Sequence, residues 1–420
     1  MRSRFPVPSF QTCVCICTLV LAAATPACAF SQAISFGTSH KIDYPNSATY
    51  TPVEVAPRDF NGDGNTDLVL MTQTIDSITP TAYQLYLLTG DGNGKFTSKA
   101  LPLSPHLGAT ILVADVNGDR HQDILYAYSG APTTGISPGT PGTFEVWLGD
   151  GTGNFHQGST TSLPLGDVAA ELGDFNGDGK PDVAIMTSHA PDQDALHNET
   201  WLNIFLNVGS GSFRNAWTLH DAPAYEYLGP VGDYNRDGKQ DLVFITQERS
   251  HFRVISGNGD GSFTDPKKTT YTLNTEWIGT MSAADLNRDG KSDIIVSLLP
   301  INYPGVPPKI ATLLAKQTTG FYWYHNVWPA GGFPLAQLAD LNGDGRPDIL
   351  YLDQNSGSVR VFPGEANALF GPEQLLDYVH VGSIVTAPLK VGGLPDIFVL
   401  EALDHFNGPG ILRVDLNISN

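Results

Sequence analysis

An all-β chain is predicted, a seven-bladed β-propeller of four-stranded antiparallel blades closed by the N-terminal strand, and three observations predict it. An acidic nonapeptide, Asp-x-Asn-x-Asp-Gly-x-x-Asp, recurs six times and once more in eroded form. A glycine-rich turn ending in phenylalanine keeps step with it, and a continuous apolar run follows each acidic copy. Self-similarity at a fixed period marks a repeat architecture, in which every unit buries its faces against its neighbours.

The acidic copies are DFNGDGNTD from Asp59, DVNGDRHQD from Asp115, DFNGDGKPD from Asp174, DYNRDGKQD from Asp233, DLNRDGKSD from Asp285 and DLNGDGRPD from Asp340. Their starts lie 56, 59, 59, 52 and 55 residues apart. The eroded copy, PLKVGGLPD, begins 48 residues further on at Pro388 and keeps only its closing Asp396, with Lys390 where the asparagine stood. The second marker ends at Phe96, Phe155, Phe213 and Phe263, and in looser form at Phe321 and Phe370. Phe36 is the same phenylalanine without its turn, so the chain starts on an outer strand and stops one strand short.

The apolar runs after the loops (LVL, ILY, VAI, LVF, IIV and IL before Tyr351) are continuous rather than alternating. That pattern belongs to a strand covered on both faces. A variable loop, a strand such as YQLYLL or FEVWL, the glycine-rich hairpin and the Phe strand complete each unit. Four short strands per unit, seven units and no amphipathic helical stretch describe a propeller.

Composition sets the outer limits. The 420 residues carry 43 acids against 23 lysines and arginines, a net charge of −20. A polyanion is repelled by such a surface, which excludes nucleic-acid binding as a main function. Residues 1–29 read as a secretory signal peptide: Arg2 and Arg4, then the apolar run CVCICTLVLAAA, then ACA at the cleavage position. That run is too short to span a bilayer and no later one is longer, so no membrane span is expected. All four cysteines (Cys13, Cys15, Cys17 and Cys28) fall in this segment, leaving residues 30–420 without disulfides or thiolate chemistry. Acylation of Cys28 is the weaker alternative, because TPAC lacks the usual leucine three residues before the cysteine. A secreted domain without disulfides needs another brace.

The acidic loops offer one. Calcium takes six to eight oxygen ligands, and a tight loop presents them at alternating positions. Position 1 is Asp59, Asp115, Asp174, Asp233, Asp285 and Asp340; position 3 is Asn61, Asn117, Asn176, Asn235, Asn287 and Asn342. Position 5 is Asp63, Asp119, Asp178, Asp237, Asp289 and Asp344; position 9 is Asp67, Asp123, Asp182, Asp241, Asp293 and Asp348. Position 7 holds Asn65, His121, Lys180, Lys239, Lys291 and Arg346. A cationic side chain does not ligate a cation, so position 7 is expected to offer its backbone carbonyl. Position 6 is glycine except at Arg120, as a sharp turn requires, and position 2 is always apolar, as an anchor to the core would be. The helical EF-hand is excluded, since its closing glutamate at position 12 is here Leu70, Tyr126, Ile185, Phe244, Val296 or Tyr351. Up to six structural Ca²⁺ are expected, and none in the seventh loop, where the Lys390 ammonium is expected to fill part of the vacated charge position.

With these residues in view, the chain resembles the FG-GAP/VCBS repeat family, which includes the integrin α-subunit propeller and certain fungal lectins. The resemblance covers about residues 31–420. It implies that each acidic loop joins the innermost strand of a blade to the second, and that the strand around Phe36 pairs with ILRVDLN (411–417) to complete blade seven.

Other motifs carry less. Gly135-Ile-Ser137-Pro-Gly139 matches the esterase nucleophile pattern but lies in a Gly/Pro/Thr loop with neither the strand nor the helix that motif needs. The histidines show no zinc spacing, and no paired carboxylates stand out beyond the loops. The aromatic run FYWYHNVW (321–328) reads as blade core or as a sugar-stacking surface. Long variable loops at 72–82, 128–142, 187–199 and 299–308 are expected on the face opposite the acidic loops, with aromatics such as Tyr303 beside a ligand. The reading is a secreted, monomeric, calcium-binding propeller acting as a non-enzymatic binding or adhesion module for an extracellular protein or glycan. A lectin with inter-blade sugar sites, or a polysaccharide lyase on a calcium-bearing propeller, is the alternative.

Overall fold

The computed structural model describes residues 34–419 apart from 48, 75–81, 105, 107–108, 131–139, 190–198, 222–224, 247–249, 265–269, 273–275, 301–307, 317–319, 330–334, 354–355, 377–380 and 402–410. The signal-peptide segment, the Gly135–Gly139 motif, Tyr303 and most of the variable loops lie outside the described residues.

The sheets follow the repeat. Blade 1 runs Tyr50–Arg58, Asp67–Thr74, Tyr83–Gly90 and Phe96–Ala100, each strand antiparallel to the next. The first strands of blades 2 to 7 are Thr110–Ala114, Asp167–Gly173, Tyr225–Gly232, Glu276–Ala284, Leu335–Ala339 and Val381–Ala387. First strands pack beside one another from blade to blade, and that of blade 7 packs against that of blade 1, so they line the axis of a ring. Blade 4 departs slightly: its outer strand is divided into Phe263–Thr264 and Thr270–Thr272. A single 3₁₀ turn, Ala366–Ala368, replaces the glycine hairpin in blade 6. Among the described residues no helix is long and apolar enough to cross a membrane.

The ring closes as the sequence implies. Phe36–Ile42 pairs antiparallel with Ile411–Asn417, from Phe36 opposite Asn417 to Ile42 opposite Leu412, and becomes the outer strand of blade 7. Ile42 and Tyr44 are buried in the cluster that joins blades 7 and 1. Seven buried clusters hold the molecule, and each is shared by two consecutive blades. The second strands explain why: in Asp67–Thr74 the first six residues are all buried, because both faces of that strand meet another blade. Apolar area removed from water at these seams is the main favourable term. The aromatic run at 321–328 forms most of the outer strand of blade 5, Phe321–Pro329, where Phe321 is buried and Tyr322 exposed.

The two sequence markers meet physically. The position 2 ring of one loop packs edge-on against the hairpin phenylalanine of the next blade: Phe60 on Phe155 at 5.7 Å, Phe175 on Phe263 at 5.6 Å, Tyr234 on Phe321 at 5.8 Å. All six position 2 side chains are buried, as an anchor should be.

Candidate metal centres

Every acidic loop joins the first to the second strand of its blade, so all stand at one face of the ring. The loops share one hydrogen-bonded frame. Position 1 accepts from the backbone N–H of position 6 in all six: Asp59 from Gly64 at 2.9 Å, Asp115 from Arg120 at 2.8 Å, Asp174 from Gly179 at 2.9 Å, Asp233 from Gly238 at 2.9 Å, Asp285 from Gly290 at 2.8 Å and Asp340 from Gly345 at 2.7 Å. The asparagine at position 3 accepts from the N–H of position 5, as Asn61 does from Asp63 at 2.9 Å, and position 5 accepts from the N–H of position 7, as Asp63 does from Asn65 at 2.8 Å. The loop therefore winds its backbone N–H groups around inward-turned oxygens.

Two positions must be left-handed for this winding. Position 6 has φ between 71° and 85° throughout, Arg120 included at 71°. Position 4 is left-handed too, as glycine in four loops but as Arg236 (φ 63°) and Arg288 (φ 60°) in blades 4 and 5. The second requirement went unread in the sequence, although glycine at position 4 in four of six copies was its signal. Arg288 uses the strained position to reach the next loop, where its guanidinium donates to the Gly345 carbonyl at 2.6 Å.

Position 9 differs from the rest. Asp67, Asp123, Asp182, Asp241, Asp293 and Asp348 are fully buried. One oxygen accepts from the N–H of position 2, as Asp67 does from Phe60 at 3.0 Å. The other accepts from an N–H within two residues of the third strand's end: Gly90, Gly149, Asn207, Gly257, Ala315 or Gly364, at 2.6–2.9 Å. The side chain thus ties loop, second strand and third strand together. Burial pushes Asp67, Asp182 and Asp293 up to about 6 and Asp241 and Asp348 up to about 7, with Asp123 raised in the same way. The two N–H bonds pull each back down, while the carboxylates at positions 1 and 5 push it further up.

Position 7 side chains leave the loop in three blades. Asn65, His121 and Lys239 lie across Gly92, Gly151 and Gly259 of their own hairpins, where a side chain would collide with them. Lys180 and Arg346 instead pair with the position 5 carboxylates Asp178 (2.9 Å) and Asp344 (3.2 Å), and Lys291 donates to the Lys316 carbonyl.

The seventh loop has a different arrangement. Asp396 keeps both position 9 bonds, accepting from Leu389 N–H at 2.6 Å and Asn417 N–H at 2.7 Å. The rest of the loop docks on blade 1: Thr66 N–H donates to the Leu389 carbonyl at 2.8 Å and Val391 N–H to that of Gly64 at 3.0 Å. Lys390 does not fold back toward the vacated positions, correcting the expectation drawn from its charge. Its backbone bridges to Asn65, and its exposed side chain runs over Gly92 of the first blade.

In this geometry no group of three acidic or histidine side chains among the described residues converges tightly enough to define a metal centre unaided. The residue types nonetheless fit a hard cation: each loop gathers three carboxylates and an asparagine amide, and its buried carboxylate, raised chiefly by burial, is pushed further up by the other two, a charge excess a cation would relieve.

Fold and site together define a seven-bladed β-propeller with an acidic loop in six blades. The FG-GAP-like repeat family model matches residues 59–126, 134–185 and 233–296, stretches that contain the first five acidic loops. Those three stretches carry FG-GAP-like repeats. Over 200 residues, 45% of the chain, it is 24% identical to cartilage acidic protein 1 of Xenopus tropicalis, of which that match spans only 31%. Among solved structures it is similar to the exotype rhamnogalacturonan lyase YesX, with a TM-score of 0.53, 13% identity, and 91% of this chain and 75% of that one covered. It is also similar to the polysaccharide lyase Uly1, with a TM-score of 0.51, 11% identity, and 92% and 100% covered. These structural likenesses are likenesses of fold.

Proposed function

We propose that the chain is a secreted, non-catalytic binding module whose propeller is braced by calcium in six loops and whose glycan or protein ligand is met on the opposite face. The observation that carries the calcium reading is the sixfold repetition of one hydrogen-bonded frame, whose buried aspartate is raised by burial and further by the two carboxylates beside it. Positions 1, 3, 5 and 9 and the carbonyl of position 7 would hold the ion, and Ca²⁺ there would supply positive charge that offsets the clustered carboxylates. The ligand face is inferred from difference: the acidic loops repeat one structure, whereas the connections after the second strands vary in length and residue type from blade to blade. The polysaccharide-acting fold neighbours favour a glycan over a protein.

The test is metal content after dialysis against calcium, by mass spectrometry, with terbium luminescence as a second measure. The expected stoichiometry is close to six for the parent and one lower for Asp178→Ala. A parent that retains no calcium contradicts the proposal. For the ligand face, binding should survive in folded Asp178→Ala; its loss there would place recognition on the acidic-loop face instead.

A further inference from the structure

The sequence places two cations in each of loops 4 and 5, Arg236 with Lys239 and Arg288 with Lys291, and one in loop 6, Arg346. The structure redistributes them. Arg236 and Arg288 hold position 4 in the left-handed conformation, and both reach position 6 of the following loop. A Cβ added to Gly290 would stand 2.9 Å from Arg236 Nε, and one added to Gly345 would stand 3.1 Å from Arg288 Nη2. In blades 2 and 3 position 4 is Gly118 or Gly177, where an added Cβ would meet nothing within 4 Å. Each arginine thus carries its charge to the next blade.

Loop 6 gains most from this. Arg288 Nη2 donates to the Gly345 carbonyl at 2.6 Å and to the Asp344 carbonyl at 3.3 Å. From within the loop, Arg346 Nη1 donates to Asp344 Oδ2 at 3.2 Å. Two guanidiniums therefore converge on position 5, one on its backbone and one on its carboxylate. The Asp344 and Arg346 side chains are 16% and 29% exposed, against 34% and 47% for the matching pair Asp178 and Lys180 in loop 3, so water and salt screen the loop 6 pair less. The lysines of loops 4 and 5 are engaged elsewhere: Lys239 lies across Gly259, and Lys291 donates to the Lys316 carbonyl. Loop 1 has no lysine or arginine among its nine residues.

The inner frame is the same in all six loops, with position 1 accepting from the N–H of position 6 in each, so loop 6 is no better shaped for an ion than the others. The difference is charge. Guanidiniums at position 5 offset the repulsion among the three carboxylates, and the same positive charge opposes the entry of a divalent ion. Asp344 must also give up Arg346 before both its oxygens are free. Arg288, at φ 60°, keeps a backbone conformation that L-residues seldom adopt, and such strain persists only where the surroundings hold it, here through two carbonyl bonds.

We propose that loop 6 is braced by the protein's own arginines, Arg288 and Arg346, and is in consequence the last of the six acidic loops to take up a divalent cation and the first to release it. The order of filling rests on the calcium reading above; the brace does not. The test variants use residues that the repeat already carries at these positions: Arg288→Gly, as in four loops, and Arg346→Asn, as in loop 1. Calorimetric titration of Ca²⁺ into the calcium-free chain should show one ion binding about tenfold or more weakly than the rest, as a fixed unit charge a few ångströms away can impose near a surface. Asp340→Ala should abolish that weak class alone, whereas Asp59→Ala should remove one tight ion and keep it. In the double arginine variant the weak ion should join the others, and Lys180→Asn should leave it weak. Urea unfolding in chelator should give the double variant a lower midpoint than the parent, even though glycine relieves a left-handed arginine. Six equal sites, a weak class that survives in Asp340→Ala, or one that persists in the double variant overturns the order of filling. An unchanged or raised urea midpoint in chelator overturns the brace. A chain that takes up no calcium overturns the calcium reading and the order of filling with it, and the urea midpoints then decide the brace on their own.

Discussion

In blades 1 to 6 the aspartate at position 9 shares its loop with two further carboxylates; in blade 7 Asp396 stands without them and still makes the same two bonds. Burial raises its carboxyl too, against the pull of those bonds, with no neighbouring acid adding to the shift. Two jobs that coincide in six loops are separated in the seventh. Position 9 ties the loop to the second and third strands in every blade, whereas positions 1, 3 and 5 are replaced where loop 7 leans on blade 1. The motif is thus a structural tie with a carboxylate-rich frame built around it, and the tie is what the seventh loop keeps.

The largest effect expected from breaking this comparison comes from its edge. Deleting residues 30–45 removes Phe36–Ile42 and leaves Ile411–Asn417 with an unpaired flank, as well as emptying the places of Ile42 and Tyr44. Open edges template aggregation. Expression trials should give insoluble protein; a monomer melting like the parent would mean that the strand is dispensable.

The tie itself is next. Asp396→Ala strands two buried N–H donors and should cost about 2–5 kcal/mol, since each unsatisfied buried group costs about 1–3 kcal/mol. Urea unfolding should give the same loss in calcium and in chelator. Asp348→Ala breaks the matching bonds to Leu341 and Gly364, and its loss should be larger in calcium than in chelator. Equal losses for Asp348→Ala in both conditions would remove the cation from position 9.

Away from the loops, the first strands provide a control in which burial acts without neighbouring carboxylates. Burial pushes Glu54 up to about 7, opposed by the bond it accepts from Ile111 N–H at 3.0 Å across the seam of blades 1 and 2. A carboxyl raised in the folded state binds more protons there than in the unfolded chain. Its stabilising share is therefore full below the unfolded value, near 4.5, and is lost as pH climbs through about 7. Glu54→Gln should gain about 1–3 kcal/mol relative to the parent between pH 5 and pH 8. A pH-independent difference would show that Glu54 is ordinary in the fold. The smallest effect belongs to Lys390→Ala, within about 0.5 kcal/mol, as for exposed sites generally. A larger loss would mean that its ammonium does stand in for the missing ion.

Much of this was legible in the sequence because it repeats. Blade number and closure by the Phe36 strand follow from phase and spacing and the buried position 2 anchor from its constant apolarity, while the place of the loop between first and second strands was what the family resemblance implies. The tie at position 9 was not legible, for its partners are backbone N–H groups at Gly90, Asn207 or Ala315, which no residue type marks. Nor was the docking of Leu389 and Val391 on blade 1, which depends on how the ring closes.

Thermal unfolding of the calcium-loaded chain, repeated in excess chelator and after calcium is restored, tests the calcium brace most directly. An ion that binds only the folded state adds about 2.7 kcal/mol per site at a hundredfold excess over Kd. Summed over six loops, this predicts a melting temperature lower by more than about 10 °C in chelator, recovered on adding calcium back. An unchanged melt would show that the six acidic loops hold their shape by hydrogen bonds alone, and the brace would be contradicted.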